Sequence, residues 1–419
     1  MSDPQPEDPE RTENHTADPT STVLVTVSGP DQRGITSTLM ELLALHGAVI
    51  DDVEQVVVRG HLVLGVVATA PLVRQAALTH DLESMGVDRG LQITVAATDP
   101  TPTRRDHGMV VTVVARSITS THFNAVARAI ATAGGNIDRI VRLARYPVSA
   151  YEIQVQRGDE EALRTQLVAV SREFHIDVAI QPGGLARRAQ RLVVLDVDST
   201  LIQDEVIELI AELCGCGEQV RDITERAMAG ELDFEQSLRE RVRLLKGQRC
   251  EDLATALGRV RLTPGARTFT RTLRRLGFRI AIVSGGFTYF TDALKADLEL
   301  DYAFANELEV VDGRLTGEVV GPVVDRARKA ELLRHVAELE GIALDQTVAV
   351  GDGANDLDML ATAGLGIAFN AKPVVRDAAA ATLNVPYLDA VLFMLGVSRG
   401  EVEAADAAEG IVEEPPPVN

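Results

Sequence analysis

Four polar clusters interrupt the apolar runs in the second half of this 419-residue chain. Asp196-Val197-Asp198-Ser199-Thr200 follows Leu192-Val193-Val194-Leu195, and Ser284-Gly285-Gly286 follows Ile280-Ala281-Ile282-Val283. Lys329 opens a helical segment running to Glu340, and Gly351-Asp352-Gly353-Ala354-Asn355-Asp356 follows Val348-Ala349-Val350. The apolar runs read as parallel strands buried on both faces, and open α/β sheets bind ligands beyond the carboxyl ends of such strands. Carboxylates, a cation, a hydroxyl and glycine amides at those ends suit phosphoryl transfer, in which a nucleophile approaches phosphorus while the charge on its oxygens is neutralised. Asp196 is the candidate nucleophile, since a nearby cation can hold a carboxylate beside an anionic phosphate. Asp198, in the turn, is placed to protonate the leaving oxygen as an acid and then to activate water as a base. Asp352 completes an oxygen-rich site with the Asp196 carboxylate and a backbone carbonyl near Asp198, a hard ligand set that favours Mg²⁺. Lys329 offers the phosphate a point charge, and Ser284 with the Gly285 and Gly286 amides offers hydrogen-bond donors.

Each cluster alone has a plainer reading. Asp-x-Asp is common in turns and helix caps, Ser-Gly-Gly after a strand is an ordinary turn, and a helical lysine is usually solvated. Gly351–Asp356 holds more glycines and acceptors than a turn needs. The arrival of all four, in order, at successive strand ends decides for the site.

The elements that must position these residues form a doubly wound α/β domain, strands alternating with helices such as Pro264–Leu276 and Lys329–Glu340, over residues 188–400. A mostly helical, amphipathic insertion at about 206–260 directly follows the first strand, where a lid would sit. Glu309 to Leu315 reads as a hairpin turning on Asp312-Gly313. The first half of the chain is an internal repeat. Val25-Thr26-Val27 returns as Val111-Thr112-Val113, and Ile35-Thr36-Ser37-Thr38 returns as Ile118-Thr119-Ser120-Thr121. Each copy reads as a βαββαβ unit, so two α+β ferredoxin-like modules are expected at 21–98 and 108–182. The polar ends, 1–20 and the acidic 401–419, read as disordered tails.

Composition narrows the partners. A formal net charge of −21 argues against nucleic acid, and no window is apolar enough to span a membrane. The N-terminus lacks the layout of a secretory signal, so the expected compartment is the cytoplasm. Cys214, Cys216 and Cys250 can form neither a disulfide framework nor, without a nearby histidine, a zinc site, and read as reduced.

The four clusters resemble the motifs of the haloacid dehalogenase-like phosphatases. Within that family, the run from Asp196 to Glu205 and the stretch Met228-Ala229-Gly230-Glu231-Leu232-Asp233-Phe234 to Val242 are similar to the phosphoserine phosphatases. The resemblance implies a Rossmann-like core with a helical cap, and an aspartyl-phosphate on Asp196 with Asp198 as acid/base. Mg²⁺ would be held by Asp196, Asp198 and Asp352, with Asp356 supporting the metal shell. It further implies that Glu205 binds the ammonium of phosphoserine and Arg241 its carboxylate, with Met228 and Phe234 closing the lid. Ser284, Gly285, Gly286, Lys329 and Asn355 would hold the phosphate. These roles suit the ligand, since a carboxylate, a guanidinium fork and a metal site complement its three charged groups. The front modules resemble ACT domains, which often bind amino acids and pair between chains. Gly29-Pro30-Asp31-Gln32-Arg33-Gly34-Ile35 matches the loop such domains use before the first helix, while the second copy has Ala115-Arg116-Ser117 instead. Two readings stand side by side, feedback sensing with Gly29 and Asp31 as candidate L-serine contacts, and a pure assembly platform. Exposed sheet edges lead to the expectation of a homodimer or higher oligomer through these modules.

Overall fold

The computed structural model describes residues 19–99, 108–184, 187, 189–228 and 231–412, with only the backbone described at Met228. Of the tails expected at 1–20 and 401–419, residues 1–18 and 413–419 lie outside the described residues, as do the Pro100–Pro102 separator and the Met228 side chain. The chain divides into two compact units, 1–104 and 105–419.

In the first unit, β1 (Thr20–Pro30), β2 (Val49–Val58), β3 (His61–Pro71) and β4 (Gln92–Ala97) form an antiparallel sheet in the order β2-β3-β1-β4. Alternation sends Val23, Val25, Val27, Leu62, Leu64 and Val66 to one face. There they pack against Leu39 and Leu43 of the helix Ile35–Leu45 and Leu78 and Leu82 of the helix Gln75–Arg89. Gly29 has a packing reason of its own, because a Cβ there would lie 2.7 Å from Leu91 Cδ2. The Asp31 amide donates to Gly60 O at 2.9 Å, fixing the loop before the first helix.

The second unit opens with the other copy: β5 (Met109–Ala115), β6 (Asn136–Ala144), β7 (Ser149–Gln156) and β8 (Asp177–Pro182). Its helices, Ser120–Thr132 and Glu160–Phe174, begin on side-chain caps from Thr119 and Asp159. Next come β9 (Leu192–Leu195), β10 (Arg279–Phe287), β11 (Tyr302–Val311), β12 (Arg314–Val320), β13 (Thr347–Gly351), β14 (Leu365–Phe369) and β15 (Ala381–Leu383). β9 and β13 are buried along their whole length, as the apolar runs require. Pairing is parallel from β11 through β10, β9, β13 and β14 to β15. The β11–β12 hairpin turns on Asp312 and Gly313, both at positive φ (50° and 73°). Helices Val206–Leu213, Gly217–Met228, Phe234–Arg243 and Cys250–Leu257 fill the insertion after β9.

The structure departs from the sequence reading in two places. The second ferredoxin-like module and the Rossmann-like sheet, read as separate, are one compact unit and one sheet, because β8 pairs antiparallel with β15 at Ala179 and Ala381. Polar ties reinforce this joint: Asp177 accepts from Asn384 N (2.8 Å) and Nδ2 (2.6 Å), and Gln181 donates to Met394 O (2.7 Å). Part of the expected C-terminal tail is a helix, Arg399–Ala408. Ser398 and Glu401 cap it, Val402 is buried, and Arg271 and Arg275 grip Asp406 at 2.9 and 2.6 Å. An acidic segment stays ordered here because two guanidinium groups neutralise it.

Burial pushes the Asp177 carboxyl up to about 6, against the lowering effect of its Asn384 bonds. A carboxyl raised in the folded state stabilises it most at low pH, and that contribution fades as pH rises through about 6. Between pH 5 and 7.5 the wild type should lose on the order of 1 kcal/mol that Asp177→Asn does not lose. Urea unfolding of both proteins at the two pH values checks this, and parallel pH slopes would refute it.

Candidate active site

The site lies at the carboxyl ends of β9, β10 and β13. Asp196 follows β9 and is buried, its Oδ1 accepting from the Val197 amide at 2.8 Å and from Lys329 Nζ at 2.6 Å. The chain then coils through Val197–Leu201, with Ser199 at φ 55°. That turn brings Asp198 back toward the helix that begins at Val206, whose amide donates to Asp198 Oδ1 at 2.9 Å. Ser284 Oγ donates to Asp198 Oδ2 at 3.1 Å and itself accepts from the Gly286 amide at 2.8 Å.

Lys329 enters from the first turn of the helix Arg326–Leu339, which Asp325 caps. Fully buried, it bridges Asp196 and Asp356, reaching Asp356 Oδ1 at 2.7 Å. Burial alone would lower the Lys329 pKa, but the two carboxylates more than offset that and raise it. Gly351 and Gly353 make room for this packing: a Cβ on Gly351 would lie 2.5 Å from Asp356 Cγ, and one on Gly353 would lie 2.1 Å from Asn355 Oδ1. Asp356 Oδ2 accepts from the Gly353 amide at 3.0 Å, and Thr200 Oγ1 donates to Asp352 Oδ1 at 3.3 Å.

Carboxylate oxygens of Asp196, Asp352 and Asp356 lie within 4.8 Å of one another. The Asp198 side chain is engaged by Val206 and Ser284, so its carboxylate stands outside the cluster and its backbone carbonyl, as the sequence reading had it, is its route to a metal. Asp356 is in the cluster, and both its oxygens are already bonded, as suits a supporting role. The bonds from Val197, Lys329 and Thr200 all fall on the Oδ1 atoms of Asp196 and Asp352. Burial, with the charge of Asp356, pushes Asp196 well up despite Lys329, and the same causes push Asp352 up to about 6. One lysine therefore does not neutralise this pocket, and a hard divalent cation fits its oxygen donors.

Glu205 sits just before the Val206 helix and accepts from Ser199 Oγ at 2.8 Å. The enclosing protein and then the Asp198 charge push its carboxyl up to about 7, although the side chain keeps an open face. Burial lowers the Arg241 pKa, opposed by Glu205, Asp198 and Glu208, which places the guanidinium in the field of the same carboxylates. Phe234 lies over the Ser284–Gly286 turn, since a Cβ on Gly285 would come 3.0 Å from its Cζ. Asp198 too is raised, with burial the largest cause, which favours the protonated form an acid needs. Sequence reading missed Ser199, Thr200 and the clasp of Arg261 on Asp204 (2.6 Å). Small hydroxyls in a turn carry no signal until the turn's geometry is known.

The chain matches the haloacid dehalogenase-like hydrolase family over residues 193–361 and ACT domain families over 21–96 and 107–181. It is 52% identical to a phosphoserine phosphatase of Streptomyces coelicolor, over 92% of this chain and 94% of that one. The chain belongs to the haloacid dehalogenase-like phosphoserine phosphatase family. A Mycobacterium tuberculosis member is 50% identical over 92% of this chain and 96% of its own. Among solved structures, a haloacid dehalogenase family hydrolase of Salmonella enterica superposes with a TM-score of 0.60 at 32% identity, covering 68% of this chain and 98% of that one. A probable phosphoserine phosphatase of Vibrio cholerae superposes with a TM-score of 0.55 at 37% identity, covering 73% and 89%. As a member of the family, the chain is a phosphatase whose α/β core follows two ACT domains. No helix among the described residues is long and apolar enough to cross a membrane.

Proposed function

We propose that this phosphatase hydrolyses O-phospho-L-serine to L-serine and phosphate, the final step of serine formation, with Asp196 as nucleophile and Asp198 as acid and base. The observation that carries the reading is the presence of two buried carboxylates in one turn with different partners. Asp196 bonds the Lys329 ammonium, whereas Asp198 bonds the Val206 amide and the Ser284 hydroxyl and faces the first turn of the next helix. Asp196 attacks phosphorus as Asp198 gives its proton to the departing serine oxygen. Asp198 then takes a proton from water, which hydrolyses the aspartyl-phosphate. Ser284 with the Gly285 and Gly286 amides, Lys329 and Asn355 hold the phosphate. Glu205 binds the ammonium and Arg241 the carboxylate, while Phe234 and Met228 shut out water. Asp196 and Asp352 with the Asp198 carbonyl would hold Mg²⁺, Asp356 orienting the set. When bound, the ion supplies Lewis-acid neutralisation of the phosphate.

The ACT domains support a further regulatory reading, in which L-serine acts at the loop of Gly29 and Asp31 and the front modules pair between chains. The exposed valines of β2, Val53, Val56, Val57 and Val58, give such pairing an apolar edge. The three free cysteines suit the reducing cytoplasm proposed as the compartment.

Phosphate release measured on phosphoserine, phosphohomoserine and a phosphopeptide tests the substrate. Phosphoserine should lead in kcat/KM, chelation should abolish turnover and Mg²⁺ should restore it. Glu205→Gln should raise KM for phosphoserine by about 10-fold or more, the loss of a charge-assisted contact, and leave substrates without an ammonium unaffected. A preference for another substrate would overturn the assignment. In the same assay L-serine should lower kcat, whereas a change confined to KM would mean product competition.

A further inference from the structure

β10 leaves its ladder at the phosphate loop. It pairs with β11 in register up to Val283↔Phe304, and pairing resumes only at Phe287↔Asn306. Three residues on β10, Ser284 to Gly286, thus span a gap that β11 covers with Ala305 alone. The carbonyls in such an arch lose their strand partner and need another donor.

Asn306, itself 1% exposed, supplies it. Its Nδ2 donates to Gly285 O at 2.8 Å and to Gly286 O at 3.2 Å, while its Oδ1 accepts from the Val324 amide at 2.8 Å. Each of these bonds leads into the site. The Gly285–Gly286 peptide is held at its oxygen by Asn306 and at its amide by Ser284 Oγ, which also donates to Asp198 Oδ2. Val324 precedes Asp325, whose side chain caps the helix bearing Lys329 (Arg328 N to Oδ1, 2.8 Å) and whose carbonyl takes the Lys329 amide at 3.0 Å.

We infer that Asn306 is a positioning residue that sets the phosphate loop, the Asp198 carboxyl and the Lys329 helix in one register. It touches no substrate. Its amide offers a donor to one element and an acceptor to the other; an ionised aspartate lacks the donor, alanine lacks both, and serine puts both on one oxygen too short to span the two. The inference builds on the proposed phosphatase mechanism without requiring phosphoserine as the substrate.

The test compares Asn306→Ser, Asn306→Asp and Asn306→Ala with Val402→Ala, a buried truncation in the C-terminal helix that controls for lost stability. Steady-state rates are read on phosphoserine and on p-nitrophenyl phosphate, with orthovanadate inhibition as a measure of the phosphate grip. kcat/KM should fall about 100-fold in the Asp and Ala variants, the scale of losing a preorganised donor set, and less in Ser. The orthovanadate inhibition constant should rise about 10-fold or more, as for one lost charge-assisted contact. Turnover of phosphoserine should suffer more than that of p-nitrophenyl phosphate, whose good leaving group needs little help from Asp198. Val402→Ala, at a similar melting temperature, should keep wild-type constants. The inference is overturned if any folded Asn306 variant keeps wild-type kcat/KM and orthovanadate affinity, or if its losses match those of Val402→Ala. The Asp variant, which fills the space, and the Ser variant, which retains a hydroxyl donor, carry the comparison should Ala fail to fold. If the wild type cleaves p-nitrophenyl phosphate but not phosphoserine, the substrate assignment fails and the Asn306 comparison still stands.

Discussion

Asp196→Asn is expected to lower turnover by at least about 10⁴-fold, the scale at which losing a covalent nucleophile registers. The amide is nearly isosteric, and its oxygen can accept the same bonds from Val197 and Lys329 that Oδ1 accepts now. What it lacks is a nucleophilic carboxylate oxygen to form the acyl-phosphate. The fold should survive, because burial and Asp356 already press Asp196 toward neutrality and the substitution relieves that repulsion. Against this stands a weakened partner for Lys329, which keeps Asp356. The two effects oppose, so the melting temperature should stay within a few degrees of wild type, about what 1 kcal/mol moves in a domain of this size. Phosphate release and thermal unfolding on the same preparation check both halves. Activity above about one per cent of wild type would rule out covalent catalysis at Asp196, because a nucleophile's loss leaves far less.

Much of this site could be read before the fold was known, because its parts sit where sheet geometry puts ligands. Asp196, Ser284 and Asp352 each follow a run apolar enough to mark a strand buried on both faces, and strand ends converge. The repeat in the front half was equally legible, since two copies of one pattern calibrate each other. Features that depend on three-dimensional closure were not. β15 is only three residues long, and nothing in Ala381-Thr382-Leu383 announces that it will take the edge of β8. The helix Arg399–Ala408 looked like an acidic tail because its partners, Arg271 and Arg275, stand about 130 residues earlier. The aim of the Asp198 side chain is of the same kind. Spacing places it near the acidic cluster, but only the turn at Ser199 directs its carboxylate at Val206 and Ser284.

The same cluster makes Lys329 the residue whose loss should cost both rate and stability. It is wholly enclosed, paired with Asp196 and Asp356 at 2.6 and 2.7 Å, with Asp352 in the same acidic cluster. Lys329→Met fills the volume but leaves buried carboxylates facing one another uncompensated, a change that costs about 3–5 kcal/mol when one partner of a buried pair is removed. The rate should fall about 10³-fold, since in the proposed mechanism the point charge both holds the nucleophile and neutralises phosphate. Because the folded-state pKa of Lys329 is raised, its stabilising contribution is lost only as pH climbs through that raised value. The stability gap to wild type should therefore persist across neutral pH. Mg²⁺ should narrow the gap by binding the exposed negative charge of the folded state, yet leave the rate low, since it cannot take the lysine's place against both Asp196 and the phosphate. Lys329→Arg should not rescue either property, because the planar guanidinium is larger than a cavity that admits no solvent. Urea unfolding and phosphate release at pH 7, with and without Mg²⁺, measure all of this. A Met variant as stable as wild type would show that the carboxylates had already shed their charge, and that the lysine is not what holds them.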